Sequence, residues 1–141
     1  MLLYANGDAE KSFLSPLLQL VATRGKFMEL IALRERMRDK EFAQRAYMTG
    51  IMSLMDALLG QPIVEALASL NVSEDVAAAI LEHEGPLGKL LMLAEAVDKG
   101  DMTALTTAVH EFPELTVAKL SAMQVEAMRW ANNLGEPVRF S

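Results

Sequence analysis

An all-α domain follows from three observations on the 141 residues. Apolar side chains recur at spacings of three and four almost throughout, and no alternating apolar and polar run of useful length interrupts them. Ser, Asp and Pro stand before these segments, and Gly or Pro after them, at helical intervals. About six to seven helices are expected around one core, because no repeat, low-complexity stretch or internal linker divides the chain.

Taken in order, Ser15-Pro16 opens the first helix with a cap and a first-turn proline. Leu17, Leu18, Val21, Phe27, Met28, Ile31 and Ala32 carry its apolar side, and it runs to about Asp39. The stretch from Ala46 to Leu59 forms the next helix, ending at Gly60-Gln61-Pro62, and Pro62 then starts a short helix from Ile63 to Leu70. Ser73-Glu74-Asp75 caps another, in which Val76, Ala79 and Ile80 face inward until Gly85-Pro86 stops it. Leu87 to Lys99 is a further helix closed by Gly100. Asp101 caps one that reaches His110, and Phe112-Pro113 turns the chain into a long final helix from Thr116 to Leu134, ended by Gly135.

The stretch from Ala46 to Leu59 carries one charge, Asp56, among three methionines and several aliphatic residues. A membrane span is excluded, because it needs about 20 mostly apolar residues and this run is held between Arg45 and Pro62. Thr49, Ser53, Asp56 and Gly60 follow at spacings of four, three and four, one narrow polar face on an otherwise apolar helix. Such a helix is expected at the centre of a bundle, with its methionines as adaptable filler. A carboxylate there needs a partner, and Arg24 is the first candidate for Asp56.

Composition narrows the function. With 52% hydrophobic residues the chain is not disordered. A formal net charge of −6 opposes any mode of binding nucleic acid by broad phosphate neutralisation. The absence of cysteine removes disulfides, thiolate metal sites and a cysteine nucleophile. The first residues have no basic region and too short an apolar run for a secretory signal, so a cytoplasmic location is expected. Leu2, Leu3 and Tyr4 read as the end of a helix without a cap, which implies missing upstream helices and a possible homodimer through the face holding Leu2, Leu3, Leu17, Leu18 and Val21.

The search for catalytic chemistry yields no catalytic, cofactor-binding or metal-ligating residue. His83 and His110 are each followed by Glu, and neither belongs to an HExxH or HD ligand spacing. His83 is expected at a helix end, and Glu82, Glu84, Asp98 and Asp101 as solvated acids near glycines. Arg34, Arg36, Arg38, Lys40 and Arg45 form a basic cluster, read either as a docking patch for an acidic partner or anionic ligand, or, in the favoured reading, as a solvated helix end and connector.

Four groups of residues then point to a family: Arg24 to Leu30; Ala46 to Asp56; Gly85-Pro86-Leu87-Gly88-Lys89-Leu90-Leu91 with Glu95 to Asp101; and Ala127 to Ala131. Their order and spacing, from about Leu14 to Ala131, resemble the C-terminal part of HDOD domains, most closely those fused behind an EAL domain in bacterial signalling proteins. The resemblance implies an all-α fold related to HD-domain phosphohydrolases, with the metal ligands lost and a regulatory role retained. It implies a place in cyclic di-GMP signalling, any phosphodiesterase activity belonging to an EAL domain outside this chain.

The expectation is therefore a single domain, the C-terminal portion of an HDOD domain, acting as a catalytically inactive output module. It would work through contacts with another protein or another domain of its own protein, without cofactor, nucleic acid or membrane. A small-ligand or nucleotide sensor is the alternative, and an HD-type phosphohydrolase with atypical ligands stands behind it.

Overall fold

The structure is a computed structural model that describes residues 15–134, and every regular element among them is a helix. In chain order these are α1 (Pro16–Glu35), α2 (Lys40–Met52), α3 (Met55–Leu59), α4 (Ile63–Leu70), α5 (Glu74–Glu82), α6 (Gly85–Lys99), α7 (Met102–Val109) and α8 (Val117–Leu134). The all-α expectation holds, with eight helices among the described residues instead of six to seven. Leu2 and Leu3 lie outside those residues.

The extra helix arises from a break in the expected central one. Ser53 donates its hydroxyl to the Gly50 carbonyl at 2.8 Å, and Leu54 N–H bonds the Ile51 carbonyl three residues back. The ladder tightens there, Leu54 reaching three residues back where Ser53 still reaches four, and the chain restarts at Met55 as α3. The first helix is also shorter than expected, ending at Glu35 instead of about Asp39. Asp39 instead caps α2, its carboxylate accepting from Phe42 N–H at 2.9 Å.

At α5 the cap residue is Ser73, as the sequence suggests, but its hydroxyl donates to Asp75 and not to the helix. Gly85-Pro86 does end α5, yet these two residues are also the first turn of α6, so only His83 and Glu84 connect the helices. His83 takes a left-handed conformation (φ 55°) to make that turn. Gly88 makes the close packing possible, since a side chain there would fall on the His83 backbone.

The most enclosed helix is α6, not the 46–59 stretch. Leu90, Leu91, Leu93 and Ala94 are each 1% exposed or less, and the helix touches α1, α2, α5 and α7. They join Met28, Ile31 and Ala32 of α1, Ala46 of α2 and Ala127 of α8 in the main core. A smaller core joins Val21, Met55 and Ala66, with Leu17, Ile51 and Leu58 around it. Of the face expected to self-associate, Val21 is therefore buried within the chain and Leu17 half-buried, while Leu18 is exposed.

Candidate functional site

Helices α1 and α2 approach closely because two glycines face each other. A Cβ on Gly50 would stand 2.7 Å from Gly25 Cα. Beside this contact Arg24 is buried, and its guanidinium gathers three elements. Nε and Nη2 donate to Asp98 Oδ2 at 3.1 and 2.9 Å, and Nη1 donates to Ser53 Oγ at 3.1 Å. The charge-assisted pair compensates the desolvation of Arg24.

The expected partnership of Arg24 with Asp56 is therefore wrong. Asp56 is exposed, and its carboxylate accepts from the neighbouring Ala57 N–H at 2.8 Å. The break at Ser53 and Leu54 accounts for this, because it places Asp56 in the first turn of a new helix, where the dipole favours an acid. Thr49, on the same expected polar face, is fully buried and bonds the Arg45 carbonyl at 2.7 Å. Asp98 is exposed as a residue, as expected of a solvated acid, but its carboxylate is taken up by Arg24, and that pairing is what sequence reasoning missed. The signal was present in the spacing, since Leu91, Ala94 and Asp98 recur at three and four on one face of α6.

On the other side of α1, Lys26 Nζ lies 5.0 Å from the centroid of the Trp130 ring and bonds Glu29 at 3.0 Å. Tyr47 meets Trp130 edge-on, with centroids 5.9 Å apart. Burial, and then the nearby Glu29 carboxylate, raise the Tyr47 hydroxyl above its ordinary pKa of 10.0. Gln19 and Asn132 also bond side chain to side chain, so α8 is tied to α1 at two points.

The corner between α1 and α2 borders two adjoining hollows. One, of about 400 Å³, is lined by Glu35, Arg36, Phe42, Lys89, Leu90 and Phe112 among others. The second, of about 250 Å³, shares Arg36, Phe42, Gly85 and Pro86 with it and extends to Arg45, Asp75 and Glu84. The two form one groove with an aromatic floor and a charged rim. Arg36 lies over Phe42, its guanidinium carbon 4.0 Å from the ring centroid. Arg45 pairs with Asp75 at 3.1 Å and Lys89 with Glu111 at 2.9 Å, all four side chains being about half exposed. Arg34, Arg36, Arg38 and Lys40 are exposed and make no ion pair among the described residues. The basic cluster thus surrounds the turn between two helices and reaches the groove's edge.

A third, more open hollow of about 600 Å³ lies between α5, α6 and α7, bordered by Glu82, His83, Glu95, Lys99 and Asp101. His83 Nε2 stands 2.8 Å from Glu95 Oε1. His110 caps the C-terminal end of α7 and is exposed. Among the described residues no group of three His, Asp or Glu side chains is placed to hold a metal ion, and no helix is long and apolar enough to cross a membrane.

Comparison with known proteins gives one informative relationship. The chain is 30% identical over 118 residues to the cyclic di-GMP phosphodiesterase CdgJ of Vibrio cholerae serotype O1. The match covers 84% of this chain and 27% of that protein, so this chain spans a minor part of its relative's length. No family profile and no solved structure matches the chain.

Proposed function

We propose that this chain is a regulatory module of the HDOD type in cyclic di-GMP signalling, without catalysis of its own. It acts through contacts with a partner protein or a neighbouring domain, an EAL domain being the first candidate. The similarity to CdgJ, extending over 84% of the chain, is the observation that carries this reading. The residues behind the HDOD resemblance support it by where they fall. Arg24-Gly25 and Gly50 meet at the α1–α2 crossing, and Gly85 to Gly88 form the first turn of α6, packed against the His83 backbone. They are determinants of packing, as a module that works by shape requires. The donor set supports inactivity, since His83 has a single carboxylate partner and His110 caps a helix far along the chain.

A CdgJ chimaera tests the proposal. Deleting the matched segment of CdgJ is expected to change its phosphodiesterase rate, and inserting this chain in its place to restore it. An unchanged rate on deletion overturns the regulatory role. The isolated chain is expected to leave cyclic di-GMP intact, and turnover accompanied by about one metal per chain in elemental analysis overturns the claim of inactivity. The sensor reading has its own check: the hollow beside His83 has the volume of a small-molecule site, and a nucleotide that raises the melting temperature of the isolated chain would favour it.

A further inference from the structure

The charge at the α1–α2 corner runs against the rest of the chain. Residues 34–45 hold five cations and three acids, leaving eight cations against sixteen acids elsewhere. At the tip of this corner Met37 is 79% exposed, an apolar side chain set between Arg36 and Arg38. The neighbouring Arg36 also lines the groove floored by Phe42, Leu90 and Phe112. We propose that this corner and groove are a docking surface for an acidic segment of a partner protein, whose apolar side chain enters the groove while its carboxylates meet Arg34, Arg36, Arg38 and Lys40.

Two features select a protein segment over a small polyanion. The groove lining mixes Arg36, Arg45 and Lys89 with Glu35, Asp75 and Glu84, so its charge sums to zero. A compact phosphate ligand within it would face three carboxylates, whereas a peptide can keep its acids outside, on the corner, and insert only an apolar group. The apolar floor of Phe42, Leu90 and Phe112 likewise suits an inserted apolar side chain better than a phosphate. Arg36 is prepared for the contact, because stacking on Phe42 already restrains its guanidinium and lowers the ordering cost of binding. The exposed Arg45–Asp75 and Lys89–Glu111 pairs are weak enough for an incoming acid to exchange with.

This surface rests on the reading of the chain as a protein-contact module, and the test separates the two. A random dodecapeptide phage library is selected against the whole chain. The enriched peptides are expected to carry net negative charge around an aromatic or aliphatic residue. Their affinity is expected to fall about tenfold on Arg36→Glu and on the exposed double change Arg38→Glu with Lys40→Glu, and to weaken with salt. Circular dichroism checks that each variant keeps its helicity. No enrichment, enrichment of basic or purely apolar peptides, or binding unaffected by both variants overturns the docking surface. Cyclic di-GMP perturbing the amide resonances of Arg36, Phe42 and Lys89 also overturns it, in favour of an anionic small ligand. If the CdgJ chimaera depends on this chain but tolerates both variants, the regulatory reading stands and the surface falls. If the peptides behave as expected while the chimaera is indifferent to the chain, the surface stands alone.

Discussion

Arg24 and Asp98 stand 74 positions apart in the chain and are joined by two hydrogen bonds to a single carboxylate oxygen. With Ser53 they fasten α1, α6 and the broken end of α2 at one point. Arg24→Ala leaves Asp98 and Ser53 without their donor. Because the Asp98 side chain is 21% exposed, water softens the loss, and destabilisation of about 2 kcal/mol is expected, below that of a wholly buried pair. Asp56→Ala is expected to change stability by less than about 0.5 kcal/mol, as for an ordinary surface position. Urea melts of the two variants check both values, and equal losses would assign Arg24 to the wrong partner.

The α1–α2 crossing predicts a different ranking. Gly50→Ala drives its new methyl group into the Gly25 backbone, which cannot move aside, and is expected to cost about 2 to 3 kcal/mol. Gly25→Ala meets the Ile51 side chain at 3.0 Å, the Tyr47 carbonyl oxygen at 3.1 Å and the Tyr47 ring at 3.2 Å, each a longer approach than those at Gly50, so its cost is smaller. Thermal melts that reverse this order would contradict the packing described.

Tyr47 gives a dependence on pH. Its pKa is raised in the folded chain, by burial first and by Glu29 second. The folded state therefore keeps its proton at pH values where the unfolded chain has begun to lose it. The contribution is fully present below the ordinary value of 10.0 and is lost as pH rises through the folded value. Stability measured from pH 9 to pH 11 is expected to fall less steeply in Tyr47→Phe than in the parent.

Gly88 should be the least tolerant glycine among the described residues. Any side chain there collides with the backbone of His83, so Gly88→Ala is expected to pry α5 from α6 and cost more than about 3 kcal/mol. Gly100→Ala meets no atom and carries only the strain of φ 66°, about 1 kcal/mol. Chemical denaturation of the pair measures the difference.

How far these features can be read in the sequence depends on the range of the interaction behind them. Ser15-Pro16, Asp101 and Gly100 mark helix ends where expected, because a cap is settled by its own few neighbours. The break after Met52 was not legible. Ser53 at a helical spacing reads as one more polar position, and its role depends on a guanidinium arriving from 29 residues away. Asp98 shows the same limit, since periodicity puts it beside Leu91 and Ala94 but cannot say that Arg24 waits opposite. The basic cluster was visible as composition, yet only the fold shows Arg36 lying on Phe42 at the rim of a groove built from α1, α2 and α6 with Phe112.

The two cores are unequal, and the inequality sets an order of events. Helices α3 and α4 rest on Val21, Met55 and Ala66, whereas α6 is enclosed by four neighbours. Local opening begins where the fewest apolar groups must be wetted, so amides of α3 and α4 should exchange with solvent long before those of α6. The chain from Met55 to Leu70 would then behave as a flap that lifts while the α1–α2–α6 body stays closed. A protease would meet this flap first, and a partner seated on the Arg36 corner would meet only the body.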